Sequence, residues 1–243
     1  QGLPRLWSRA APRRRMAAVR RGAAAGAPDA NSAGSVRSQA ALQRVASAIG
    51  ARTSEAPSGV LQEAANALSM LPQFVNCWWF LPTSGRAWVP LALCMAHMPF
   101  SMAYHLAEGL SVAGRKVDVT PWRCMDQTFV YIVTVAEGWA LSHGSVAFTM
   151  AQAIWNAYAI FRLWHYARVE ARHWRFIRMG IGLFANKLPV LLDGDWWLWL
   201  RFSFISVIGG ALFALDPILA GWGHPLMHVL LVPGQWLLVV ASR

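Results

Sequence analysis

The stretch WWLWLRFSFISVIGGALFAL at residues 196–215 contains a single charged side chain, Arg201, among apolar and small residues. Its length matches the roughly 20 residues that a helix needs to cross the hydrocarbon core of a bilayer. Trp196, Trp197 and Trp199 stand at its N-terminal end, where amphipathic rings favour the boundary between water and lipid. The stretch therefore predicts a membrane-spanning helix.

Six further apolar runs lie on either side of this stretch. They cover residues 61–81, 88–110, 122–141, 145–164, 174–192 and 224–240. Glu63 and Asn66 interrupt the first run, which could therefore span the bilayer or lie along its surface. Of the 243 residues, 56% are hydrophobic and 14% charged, whereas a soluble domain carries about 25% charged residues. We predict an all-α polytopic membrane protein in which residues 59–243 form a bundle of seven transmembrane helices.

Residues 1–58 have a different composition. They are rich in alanine, arginine, serine and glycine, and the first fifty residues contain nine arginines and one acid, Asp29. An arginine-rich, acid-poor N-terminal segment is typical of organellar targeting sequences, and it cannot bury enough apolar surface to fold alone. We predict an extended tail that is either transit-like or bound to partner subunits of a larger membrane complex.

The net charge of +11 is distributed as in a membrane protein. Most basic residues outside the tail flank the apolar runs, so we expect no nucleic-acid partner and take membrane lipids as the surroundings. With seven spans, Arg115, Lys116 and residues 168–175 fall on the same side as the tail. We therefore place the N-terminus on the matrix, stromal or cytosolic side. An organellar inner or thylakoid membrane is favoured, with the endoplasmic reticulum or Golgi as the alternative.

Polar side chains that are costly inside a membrane gather in three places. Ser101 and His105 are four residues apart near the end of the second run, so they share one helix face. Asp126 lies one turn into the third run, and His224 and His228 open the seventh with the same four-residue spacing. Four runs separate His105 from His224, so alternating helices bring all three places to one membrane depth.

This combination of side chains suits a metal. Three neutral imidazoles from two helices, with a fourth position left open, are a common ligand set of catalytic zinc. A nearby carboxylate and hydroxyl can orient a water molecule and accept its proton. Each motif is weak by itself, because histidines four residues apart are common and a serine–histidine pair often only joins two helices. Their shared depth makes the zinc hypothesis stronger.

The order of these motifs resembles the CREST superfamily, which includes the alkaline ceramidases, the progestin and adipoQ receptors and the myomaker-like proteins. The matching segments are SMAYH at residues 101–105, RCMD at 123–126 and HPLMH at 224–228. The resemblance extends from residue 61 to the C-terminus. It implies a seven-helix fold, a zinc ion bound by His105, His224 and His228, catalytic roles for Asp126 and Ser101, and hydrolysis of a lipid amide or ester.

Two other interpretations remain open. The chain could be a non-catalytic accessory subunit of a large mitochondrial or plastid membrane complex, which the unusual tail favours. Alternatively, His105 and one histidine of the seventh run could ligate haem or chlorophyll.

The remaining polar side chains of the runs are assigned structural roles. Glu137 is expected to make an interhelical hydrogen bond, and His97 to be a packing or interface residue. Lys187 is counted with the loops on the side opposite the tail. The three cysteines lack the spacing of metal ligands, so we expect buried, inert thiols.

Overall fold

The computed structural model describes residues 59–242, apart from the side chains of Thr83 and Arg172. The predictions made for residues 1–58 fall outside this range. The described residues form nine α-helices, two short 3-10 turns and no strand, which confirms the all-α class for this part of the chain. The helices are α1 (Val60–Leu68), α2 (Met70–Phe80), α3 (Trp88–Val112), α4 (Thr120–Leu141), α5 (Val146–His165), α6 (Arg172–Ala185), α7 (Leu188–Leu192), α8 (Trp196–Ala214) and α9 (Gly223–Ala241).

Two of the seven predicted runs are interrupted, and a proline explains each interruption. Pro72 has no N–H to bond the carbonyl of Leu68, so α1 ends there and the chain becomes helical again after Ser69. Pro189 likewise has no N–H to bond the carbonyl of Ala185, the last residue of α6. The first and fifth runs are therefore each divided into two helices, whereas the other five runs form single helices.

The helices pack as a bundle around α3 and α4, which lie side by side. The pair α1 and α2 packs on α3, and α5 packs on the other side of α4. Helix α9 contacts α8 along its length and also lies against α1 and α2. The main apolar core joins α2, α3, α4 and α9 through buried side chains that include Cys77, Leu91, Cys94, Val133 and Leu238. The three cysteines are free and buried, as predicted.

The connecting loops meet in two groups. At one end, Arg168 and Asp118 form an ion pair of 3.1 Å that joins the α5–α6 loop to the α3–α4 loop. At the other end, His143 and Asp193 lie 3.2 Å apart and join the α4–α5 loop to the α7–α8 loop. Alternate loops are therefore neighbours, as expected when consecutive helices run antiparallel.

Apolar side chains cover much of the outer surface, whereas several amides lie inside. Trp79 is 76% exposed and Phe204 is 65% exposed. Asn66 and Asn156, by contrast, are each 2% exposed. Among the described residues, two helices are long and apolar enough to cross a membrane, namely α8 and α9. The other five predicted spans are helical but do not meet this criterion.

A buried polar group joins α4 to the interruption between α6 and α7. The amide of Asn186 donates a 2.7 Å hydrogen bond to Glu137 Oε2, which confirms the predicted interhelical hydrogen bond. Lys187 donates to the Asn186 side-chain oxygen over 3.2 Å and is only 5% exposed. Lys187 lies in the turn between α6 and α7, and its side chain is buried in the bundle, unlike an exposed loop charge.

Candidate metal centre

The three histidines predicted as zinc ligands converge. One ring nitrogen from each of His105, His224 and His228 lies within 4.8 Å of the corresponding nitrogens of the other two. His105 comes from the C-terminal half of α3, and the other two come from the first turns of α9. His105 is 1% exposed and His228 is 5% exposed, whereas His224 is half-buried. The cluster is therefore enclosed on the α3 side and more open at His224.

A carboxylate from α1 holds the His105 ring. Glu63 Oε2 lies 2.8 Å from His105 Nδ1, and Glu63 itself is 5% exposed. The amide of Asn66 donates to the same oxygen over 3.3 Å. The other ring nitrogen, His105 Nε2, is buried without a hydrogen-bond partner.

A hydroxyl at the break between α1 and α2 holds the His228 ring. Ser69 Oγ lies 2.8 Å from His228 Nδ1. The same hydroxyl donates a 2.8 Å hydrogen bond to the backbone carbonyl of Asn66. The proline-induced restart of the helix thus places Ser69 between α1 and α9.

The third histidine is positioned by the turn that precedes α9. The backbone N–H of His224 donates a 2.8 Å hydrogen bond to Asp216 Oδ1. The edge of its ring meets Phe213 of α8 at a centroid distance of 4.7 Å. The end of α8 therefore fixes both the backbone and the ring of His224.

Asp126 is bonded to a fourth histidine, His97, and the catalytic roles predicted for Asp126 and Ser101 stay predictions. His97 Nε2 lies 2.8 Å from Asp126 Oδ1. Ser101 is 1% exposed, and both Ser101 and His105 are near enough to the same carboxylate to influence it electrostatically. His97 is thus a partner of Asp126, and its prediction as only a packing or interface residue was incomplete.

Three residues at the centre were not assigned to it from sequence. His97 carries a usable signal, because His97, Ser101 and His105 recur every four residues along α3. Glu63 is conspicuous as an acid within an apolar run. Ser69 has no sequence signal, since its contact depends on where the first run is interrupted.

The donor set fits a metal ion. Three imidazole nitrogens from two helices are typical zinc ligands, and a buried Nε2 without a partner is costly unless something binds it. All three rings converge on one point, whereas a haem or chlorophyll takes one histidine on each face. The geometry therefore favours a single ion over a tetrapyrrole.

No protein-family model, curated protein or solved structure matches this chain. The resemblance to the CREST superfamily therefore stays a prediction. The convergence of the histidines is the main ground for a functional assignment.

Proposed function

We propose that this chain is an integral membrane hydrolase that uses a zinc ion to cleave an amide or ester bond of a lipid. His105, His224 and His228 would hold the ion. The observation that carries the proposal is their convergence from helices far apart in sequence, with ring nitrogens within 4.8 Å of one another.

The bilayer is supported as the environment by the distribution of side chains. Large exposed apolar residues occur on every long helix, and contiguous apolar surface of this kind marks contact with lipid or protein. Inside, Glu63, Asn66 and Asn156 are buried, and the amide nitrogens of Asn66 and Asn156 donate to Glu63 Oε2 and to the Gln152 carbonyl, as expected for donors where water is scarce. We therefore propose that all seven runs span, with α1–α2 and α6–α7 as interrupted spans.

The residues beside the histidines suit hydrolysis. Zinc, when bound, supplies a Lewis acid that polarises a carbonyl oxygen and makes water nucleophilic near neutral pH. Asp126, oriented through Oδ1 by His97, is the group that accepts a proton from the attacking water. Ser101, on α3, lies near the same carboxylate. Burial excludes bulk water from these groups, which strengthens their electrostatic interactions.

Metal content tests the first half of the proposal. The full chain, purified in detergent and loaded with zinc, should retain one equivalent when measured by elemental mass spectrometry. His105→Ala and His228→Ala should lose it, because each removes one ligand. His165→Ala is the matched control, since His165 is an exposed histidine at the end of α5. Zinc retained in His228→Ala would contradict the assignment.

Hydrolysis of defined lipids tests the second half. Zinc-loaded protein in mixed micelles is incubated with lipid amides and lipid esters, and released fatty acid is measured by mass spectrometry. Asp126→Asn should lower kcat by about 10²–10⁴-fold, the usual contribution of a general base, while zinc stays bound. A zinc-loaded wild type that cleaves neither class would favour the accessory-subunit alternative over the hydrolase.

A further inference from the structure

We infer that Glu63 and Ser69 are positioning residues that set the tautomers of His105 and His228, so that both rings present Nε2 to one metal ion. The inference rests on the metal centre of the proposed function and adds to it a role for the first apolar run. It follows from hydrogen-bond chemistry at two ring nitrogens.

For His105, the partner allows one arrangement of hydrogens. The Asn66 amide donates to Glu63 Oε2, so this oxygen acts as an acceptor. Glu63 Oε2, at 2.8 Å, therefore receives the hydrogen of His105 Nδ1. A neutral imidazole carries one N–H, so Nε2 keeps its lone pair. This is the buried nitrogen that has no partner within the protein.

For His228, the hydroxyl of Ser69 gives the same result. A hydroxyl has one hydrogen, and the backbone carbonyl of Asn66, which can only accept, takes it at 2.8 Å. Ser69 Oγ must then accept from His228 Nδ1, which lies 2.8 Å away. The His228 Nε2 lone pair is thereby left available for a ligand.

Both partners depend on the interruption of the first run. Glu63 lies in α1, and Ser69 is the single residue between α1 and α2. The Ser69 N–H still donates to the Ala65 carbonyl as in a helix. The hydrogen bond that Pro72 cannot make interrupts the helix at Ser69, and the Ser69 hydroxyl contacts α9 there. The first run therefore contributes to ligand orientation at the centre in addition to its place in the bundle.

Metal affinity tests the inference directly. The full chain in detergent is stripped of metal, and Zn²⁺ binding is measured by competition with a chromophoric chelator. Glu63→Gln and Ser69→Ala should each weaken zinc binding by about 10–100-fold, the usual effect of removing a hydrogen-bond partner of a ligand. Ser69→Thr keeps the hydroxyl and should bind zinc nearly as well as the wild type.

Two matched variants separate positioning from a general loss of structure. Ser84 is 1% exposed and donates to the carbonyl three residues earlier, as Ser69 does, but it lies beyond the far end of α2. Glu137 is a carboxylate bonded to Asn186 and not to a histidine. Ser84→Ala and Glu137→Gln should therefore leave zinc affinity unchanged. Thermal unfolding of the metal-free proteins shows whether Ser84→Ala is as destabilising as Ser69→Ala. It also shows whether Glu137→Gln is as destabilising as Glu63→Gln.

The possible outcomes are distinct. If Glu63→Gln and Ser69→Ala bind zinc as the wild type does, the positioning role is wrong and the metal centre stands. If all four variants weaken binding in proportion to lost stability, their effect is structural and the inference is also overturned. A wild type that takes up no zinc overturns the metal centre itself, and the inference with it.

Discussion

The buried carboxylate of Asp126 is hydrogen-bonded to the imidazole of His97 within an apolar bundle. His97 Nε2 lies 2.8 Å from Asp126 Oδ1, and the two side chains are 11% and 15% exposed. Removing one partner of a buried ion pair destabilises the folded state far more than the intact pair stabilises it. His97 therefore supports both the stability of α3–α4 packing and the orientation of Asp126.

His97→Ala should lower the free energy of unfolding by about 1–3 kcal/mol, because Asp126 is left with an unsatisfied buried acceptor. His97→Gln should recover part of the loss, since its amide can donate to the same oxygen. The measurement is chemical unfolding of the full chain in detergent. His165→Ala, at an exposed position, should change stability by less than about 0.5 kcal/mol. Equal losses in His97→Ala and His97→Gln would refute the hydrogen bond as the cause.

The convergence of the three histidines was predictable from sequence for a simple reason. The spacing of four residues places His224 and His228 on one helix face, and helix alternation brings His105 to the same end of the bundle. The partners of these residues were not predictable in the same way. Glu63 and Ser69 reach the histidines only because α1 packs against α3 and α9, and single-sequence periodicity carries no information on that contact.

Among the elements, α8 and α9 approach each other closely at Gly223. A Cβ added at Gly223 would lie 2.2 Å from the Leu212 carbonyl oxygen and 3.0 Å from Asp216 Cα. Both neighbours are backbone atoms, so neither can rotate away. Only glycine allows α9 to begin at this distance from α8, and the next residue is His224.

Gly223→Ala should force the start of α9 away from α8 and move His224 out of the cluster. We expect a destabilisation of at least about 1–3 kcal/mol, as for other overpacked sites, together with a marked loss of zinc affinity. Gly210→Ala is the control in α8, because a Cβ there meets nothing within 4 Å. It should be neutral or stabilising by up to about 1 kcal/mol, since alanine favours helix. Unchanged zinc binding in Gly223→Ala would contradict the close approach.

The connection between α5 and α6 is held by a carboxylate shared between two arginines. Glu170 accepts hydrogen bonds from Arg162 and Arg178, and its side chain is 4% exposed. Burial tends to raise the pKa of Glu170, but the hydrogen bonds and positive charges of the two arginines outweigh it and hold the pKa below the ordinary value. The ionised form is therefore favoured in the folded state.

Stability should fall in acid because of this carboxylate. The folded-state pKa lies below the unfolded value of about 4.3, so the contribution is fully present above that value and is lost as the pH falls through the folded pKa. Thermal unfolding followed from pH 6 to about pH 3 should show a smaller decrease in Glu170→Gln than in the wild type. The variant should also be less stable at neutral pH, because two arginines then face each other without a shared acid. Identical pH dependence would exclude Glu170 as the cause.

Across the whole molecule, apolar runs predicted the helices and their order because length and hydrophobicity are local properties. The two interruptions were not predicted, although Pro72 and Pro189 stand in the sequence. A proline alone does not reveal an interruption, since α3 and α9 continue as helices through Pro99 and Pro233. Whether a proline ends a helix depends on the packing around it. The two loop contacts, Asp118 with Arg168 and His143 with Asp193, agree with the alternation that the run order implies.

Cysteine labelling in sealed vesicles tests this arrangement in a membrane. Arg115→Cys and Val169→Cys should react with an impermeant thiol reagent from one side, and His143→Cys and Leu192→Cys from the other. These positions are exposed, whereas the native Cys77, Cys94 and Cys124 are buried and should react only after unfolding. Labelling of Arg115→Cys and His143→Cys from the same side would rule out a spanning α4.

The position of the metal ligands along the chain has a consequence for biosynthesis. His105 lies in α3, while His224 and His228 lie in α9, so five helices are translated between the first ligand and the second. Until α9 emerges from the ribosome and inserts, His105 has Glu63 beside it but no second imidazole. If the proposed zinc centre forms, a nascent chain stalled before that point would offer zinc a single ligand and release it readily. Zinc retention would then require that α9 has been made and has packed against α3.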